Sequence, residues 1–123
     1  MPKALIIDDS STVRSIISKM LTSWGIASIQ ACNGQEALQK LSTECDIQLA
    51  LVDWNMPIMN GLEFVKQVRQ ESSFKEMRII MVTTETEMHQ VVSALEAGVD
   101  EYIMKPFTEE IFKEKLNMVG VIG

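Results

Sequence analysis

Apolar residues along this chain alternate between two patterns, short continuous runs and stripes spaced three and four apart, and the alternation recurs five times. The run KALII, from Lys3 to Ile7, is bounded by the turn-forming Asp8, Asp9, Ser10 and Ser11, which suits a strand buried on both faces. Val13, Ile16, Ile17, Met20, Leu21 and Trp24 then follow the stripe of an amphipathic helix, with Gly25 placed to stop it. Ile26 to Ala31 reads as a second strand. Asn33 reads as the cap of a second helix, with Glu36 three residues on as in a capping box, and that helix runs to about Leu41. Ile47 to Val52 is the most continuous apolar run and ends at Asp53. After a loop holding Met56 and Pro57, Asn60 can cap a third helix that turns Leu62, Val65 and Val68 inward. Arg78 to Val82 is a fourth strand ending at Thr83, followed by a helix from about Glu87 to Ala97 that Gly98 stops. Glu101 to Met104 is a short fifth strand. Thr108, with Glu109 and Glu110 after it, opens a last helix reaching about Met118.

Five strand and helix pairs, on the order of 20 to 25 residues apart, imply right-handed crossovers and a parallel sheet covered on both faces. The predicted fold is a doubly wound α/β three-layer sandwich. The whole length of 123 residues is expected to form one domain.

Composition narrows the function. Hydrophobic residues make up 46% and charged residues 23%, with three prolines and six glycines, so a disordered or collagen-like chain is excluded. Eleven basic residues scattered from Lys3 to Lys115 face seventeen acidic ones, for a net charge of −6, which argues against binding nucleic acid. Cys32 and Cys45 form no metal-ligand or CxxC spacing and read as reduced thiols without a role. No apolar segment approaches the ~18 residues of a membrane span, and MPKALIIDD reaches acids too early for a signal peptide. A cytoplasmic protein without membrane insertion is expected.

The polar residues that end strands share one edge: Asp8 and Asp9 after the first, Asp53 after the third, Thr83 after the fourth and Lys105 after the fifth. In open parallel sheets the carboxyl edge at the topological switch point is where ligands bind. A single such aspartate is more often a cap or a solvated loop residue, but five residues on one edge are not explained that way. Three carboxylates repel one another, and Lys105 balances only one of them, so a divalent cation is the expected remainder. Hard oxygen ligands without histidine or cysteine favour Mg2+. Acids, magnesium, an ammonium and a hydroxyl together handle a phosphoryl group, with an aspartate as nucleophile.

These residues resemble the receiver domain of two-component response regulators over essentially the entire chain. The resemblance is carried by ALIIDDSSTVR, ACNGQEAL, LALVDWNMPIMNGLEFV, IIMVTTE and AGVDEYIMKPF, in that order. It implies a flavodoxin-like (βα)5 fold with strand order 2-1-3-4-5. It also implies that Asp53 is the phosphoacceptor for a phosphohistidine of a sensor histidine kinase. Asp8, Asp9, Asp53 and the backbone carbonyl of Asn55 would hold magnesium, while Thr83 and Lys105 bind the phosphoryl oxygens. Tyr102 matches the aromatic that responds to Thr83, Asn55 and Glu85 stand where family members tune hydrolysis, and a cis bond is expected before Pro106. The stand-alone length resembles the chemotaxis members most closely. The implied output is a protein target reading the surface of the fourth helix, fifth strand and fifth helix, including Met88, Val92, Tyr102 and the helix of Phe112, with a phosphatase as a further partner. Phosphotransfer and self-dephosphorylation, not turnover of a substrate, are the implied chemistry.

Two positions depart from the family pattern. Asn60 stands where Asp is common and caps a helix equally well. Thr84 stands where a small residue is common, and its branched side chain is expected to restrict Tyr102. His89, the only histidine, reads as a surface residue; Trp54 reads either as a reporter beside the site or as loop packing; Met20, Met81 and Met104 read as core filling. An aspartyl phosphatase would need a general acid where Asn55 stands, and a flavodoxin-like electron carrier would not place two acids after its first strand. A relay or phosphate-sink receiver, or a phosphorylation-independent scaffold, is the alternative within the family.

Overall fold

A computed structural model describes residues 2–44, 46–56, 58–84 and 89–121. Its elements follow the predicted order: β1 (Lys3–Ile7), α1 (Ser11–Ser23), β2 (Ala27–Ala31), α2 (Gly34–Thr43), β3 (Ile47–Asp53) and α3 (Gly61–Arg69). A single 3-10 turn over Ser72–Phe74 precedes β4 (Arg78–Thr83), α4 (Val91–Ala97), β5 (Glu101–Met104) and α5 (Glu109–Met118). The five strands are parallel in the order β2-β1-β3-β4-β5, the predicted doubly wound sheet.

Side chains alternate across each strand, and the alternation sorts the core into two layers. Leu5, Ile7, Ala50, Val52, Ile79 and Met81 face the layer closed by Ala37 and Leu41 of α2, Phe64, Val65 and Val68 of α3, and Ala94 of α4. Ala4, Ile6, Leu49, Leu51, Ile80, Val82 and Ile103 face the layer closed by Ile17 and Leu21 of α1 and Phe112 and Leu116 of α5. Both faces of β1, β3 and β4 are therefore buried, which is why their sequences read as unbroken apolar runs rather than as alternation.

The helices begin where the side-chain caps are. Asn33 accepts from the Glu36 N–H, and Asn60 accepts from the Glu63 N–H while the Glu63 carboxylate accepts from the Asn60 N–H, a complete capping box. Ser10 and Thr108 cap α1 and α5. Gly98 ends α4 at a φ of 114°, in the left-handed region where a side chain is strained.

Three expectations are corrected. Ile16, placed on the inward stripe of α1, is 50% exposed, because Ile17 and Leu21 already fill the sheet-facing side and Ile16 points along the rim. Leu62 is half-buried, and Phe64, outside the predicted stripe, takes the inward position. Met104 is 42% exposed, because β5 is the edge of the sheet and its last residue, on the same face as Tyr102, lies at the margin of that layer. Met81 is core filling as expected. The expected start of the fourth helix at Glu87 and the residues Cys45, Pro57, Glu85 and Met88 lie outside the described residues; the described helix begins at Val91.

Candidate functional site

β1 and β3 are neighbours in the sheet, but the chain leaves them toward opposite edges, so a crevice opens between their carboxyl ends. β1 delivers Asp8 and Asp9 to it and β3 delivers Asp53. One carboxylate oxygen from each lies within 4.8 Å of the other two. Asp8 is 2% exposed and Asp53 7% exposed, while Asp9 is open to solvent. The strand ends are fixed by backbone bonds across the edge: the Asp8 N–H donates to Ala31, the Trp54 N–H to Val82 and the Lys105 N–H to Thr83.

Lys105 reaches into the crevice from the end of β5. Its ammonium donates to Asp8 Oδ2 at 2.9 Å and lies 3.6 Å from Asp53 Oδ1. Burial works to lower the lysine pKa, but the hydrogen bond to Asp8 and the charges of Asp53 and Asp8 outweigh it, and the net shift is upward from 10.5. The lysine therefore stays cationic. The other oxygen of Asp8 accepts the Ser10 N–H at 2.9 Å, which orients the carboxylate and starts α1 in one contact.

Thr83 is fully buried at the end of β4, its hydroxyl donating to the Thr84 carbonyl at 3.3 Å. Asn55 is exposed just past β3, and Trp54 is half-buried against the α2–α3–α4 layer. Tyr102 is half-exposed on β5 and packs on that same layer. Thr84 is half-buried and lines an apolar groove on the other face, formed with Val13, Ile16, Phe107 and their neighbours. The Lys105–Pro106 peptide bond is cis, as the resemblance implies. His89 is exposed.

The donor set fits magnesium. Three carboxylates against one ammonium leave two negative charges, which is what a divalent cation neutralises, and hard oxygens are what magnesium accepts. The partly open Asp9 side leaves room for the waters such an ion keeps.

The response regulator receiver domain family matches residues 4–117. This chain belongs to that family. Among relatives of this receiver, the chemotaxis protein CheY1 of Helicobacter pylori is 50% identical over 118 residues, 95% of each chain. A chemotaxis protein CheY homolog of Campylobacter jejuni is also 50% identical, over 95% of this chain and 91% of its own. The solved structure of the chemotaxis response regulator CheY4 of Vibrio cholerae superposes with a TM-score of 0.90 at 36% identity, covering 97% of this receiver and 98% of that chain.

Two contributors to the receiver site escape a reading of strand ends. Arg14, one turn into α1, donates to the Asp8 carbonyl and to Gln30 Oε1, tying the β1 end to β2. Its signal was a base six residues after the acid, on the inner side of the first helical turn. Gly61 is the other: a Cβ there would lie 2.7 Å from the Asp53 carbonyl oxygen and 3.1 Å from the Trp54 Cα, both backbone atoms that cannot swing away. Gly61→Ala is expected to cost about 1–3 kcal/mol by overpacking and to displace the end of β3, seen as a lower urea midpoint together with weaker magnesium binding. Unchanged values in both would show that the loop yields without moving Asp53.

Proposed function

We propose that this receiver domain takes a phosphoryl group onto Asp53 and presents the result to a protein partner. The single observation that supports this best is the Asp53 carboxylate, nearly buried, 3.6 Å from the Lys105 ammonium and within 4.8 Å of oxygens from Asp8 and Asp9. Magnesium would be held by Asp8, Asp9, Asp53 and the Asn55 carbonyl, and when bound it supplies charge neutralisation for phosphoryl oxygens.

An oxygen of Asp53 attacks phosphorus of a phosphohistidine on a sensor kinase; the P–N bond breaks, its electron pair stays on the ring nitrogen, and the imidazole leaves neutral, keeping the proton already on its other nitrogen. Lys105 neutralises charge on the transferred group, and the Thr83 hydroxyl turns from the Thr84 carbonyl to donate to it. Asn55 and Glu85 tune the water that later hydrolyses the acyl phosphate. The chain is a phosphoacceptor with self-dephosphorylation, not a turnover enzyme.

The output face proposed here is α4–β5–α5. It carries the exposed side chains of Val92, Leu95, Met104, Ile111 and Met118, an apolar surface suited to a partner helix or peptide. Thr83 and Tyr102 would couple the site to it by population shift. By its relatives, the setting proposed is chemotaxis in the cytoplasm, with a phosphatase as an additional partner; among the described residues no helix is long and apolar enough to cross a membrane.

The test is incubation with acetyl phosphate, with and without magnesium, followed by intact-protein mass. One phosphoryl group gained only with magnesium is the expected result. No adduct, together with no response to beryllofluoride, would leave a scaffold as the better reading.

A further inference from the structure

β5 carries a three-part contact that the chemistry of the crevice does not use. Lys115 of α5 donates from Nζ to Glu101 Oε1 at 3.2 Å, and its ammonium lies 4.7 Å from the centroid of the Tyr102 ring. The same Glu101 oxygen accepts the Tyr102 backbone N–H at 3.0 Å. One carboxylate thus holds both the backbone that bears the ring and the cation that covers it.

The arrangement is more than a surface ion pair. The Lys115 and Glu101 side chains are only 19% and 17% exposed, so solvent and salt screen them less than the usual surface pair. A lysine stem is flexible and its ammonium prefers water, so without Glu101 the side chain has little reason to lie over the ring. β5 is the outer strand, with β4 on one side only, and Lys115 supplies part of the cover that a further strand would otherwise give.

We infer that Glu101 and Lys115 form a clamp that positions Tyr102 and sets how readily its ring leaves this place when the Asp53 site becomes occupied. The inference rests on the proposed role of Asp53. An ammonium over an aromatic face attracts it, and a ring that turns away gives that attraction up. If ring position and site occupancy are linked, the link is reciprocal, so weakening the clamp tightens the site for a phosphoryl group.

The receiver has a single tyrosine, so biosynthetic fluorotyrosine gives one fluorine resonance that belongs to Tyr102. Titrating beryllofluoride in the presence of magnesium gives a midpoint, and the midpoint is the readout because it does not depend on where the resonance starts. Lys115→Met keeps the apolar stem and removes the charge; its midpoint is expected at a concentration about two- to fivefold lower than wild type. Glu101→Gln, which loosens the ammonium without deleting it, moves in the same direction by less. Lys115→Arg, whose guanidinium stacks on a ring, restores the wild-type midpoint.

A wild-type midpoint in both Lys115→Met and Glu101→Gln, with folding intact by urea unfolding, would overturn the clamp, since a merely structural pair would change stability and leave the midpoint alone. If Lys115→Met does not fold, Glu101→Gln decides alone. A wild-type protein that gives no magnesium-dependent response to beryllofluoride would instead overturn the reading of Asp53, a failure visible before any variant is made.

Discussion

Asp53→Asn is expected to abolish phosphoryl uptake from acetyl phosphate altogether, with the intact mass unchanged after hours in magnesium. An amide nitrogen or oxygen is a poor nucleophile toward phosphorus, and asparagine has the same shape as aspartate, so the loss isolates the chemistry. The substitution should not unfold the protein. Asp53 shares its crevice with two carboxylates whose oxygens lie within 4.8 Å, and neutralising it relieves that repulsion at the cost of its ion pair with Lys105, 3.6 Å away. The variant should therefore still unfold cooperatively, with a urea midpoint near that of the wild type in the absence of magnesium. It should also gain less from added magnesium, having lost one of three carboxylate ligands. An adduct that persists in Asp53→Asn would assign the nucleophile to Asp8 or Asp9 instead.

The second large effect is expected from Lys105→Met. Methionine preserves most of the stem but leaves the buried Asp8 and Asp53 carboxylates without the ammonium they share. Removing one partner of a buried pair costs about 3–5 kcal/mol, and the lysine is a quarter exposed, so about 3 kcal/mol is the expected loss at neutral pH. Magnesium should return much of it, by about 2.7 kcal/mol at a hundredfold excess over the dissociation constant. The pH dependence has a definite sign. The lysine pKa is raised in the folded protein, so its stabilisation is fully present below 10.5 and is lost as pH climbs from there through the folded-state value. The stability difference between wild type and Lys105→Met should thus hold steady from about pH 6 to about pH 9 and shrink only in strong alkali. A difference that fades between those two values would mean that another group carries the interaction.

The residues that made the fold readable are those whose signals are local. Asn33, with Glu36 three residues on, and Asn60 announce helix starts, and the apolar runs that end at Asp8, Asp53 and Thr83 announce strands buried on both faces. The gathering of Asp8, Asp9, Asp53, Thr83 and Lys105 on one edge followed from their places at the ends of parallel strands, and the strand order from the resemblance. What periodicity did not disclose is which neighbour covers a given side chain. Ile16 and Met104 fit apolar stripes yet lie at the rim, because α1 and β5 run along the margins of their layers. Gly61, the first residue of α3, is also the floor beneath the Asp53 carbonyl, which no periodicity discloses. Glu101 and Lys115, fourteen residues apart on different elements, meet only once α5 is packed.

On the amino side of the sheet, opposite the acids, Arg69 donates to the carbonyls of Gly98 and Phe74 and pairs with Asp100, whose carboxylate also accepts the Ile79 N–H. These bonds rivet the last residue of α3, the 3-10 turn, the residue that caps the end of α4 and the start of β4 to one another. Their consequence is mechanical. α4 is anchored at its Gly98 end, and the same rivets do not reach its Val91 end, the one nearer Thr83. A tilt of α4 that leaves these bonds intact pivots at Gly98 like a lever arm, so its displacement is largest at the far end, where Val92 stands out from the surface.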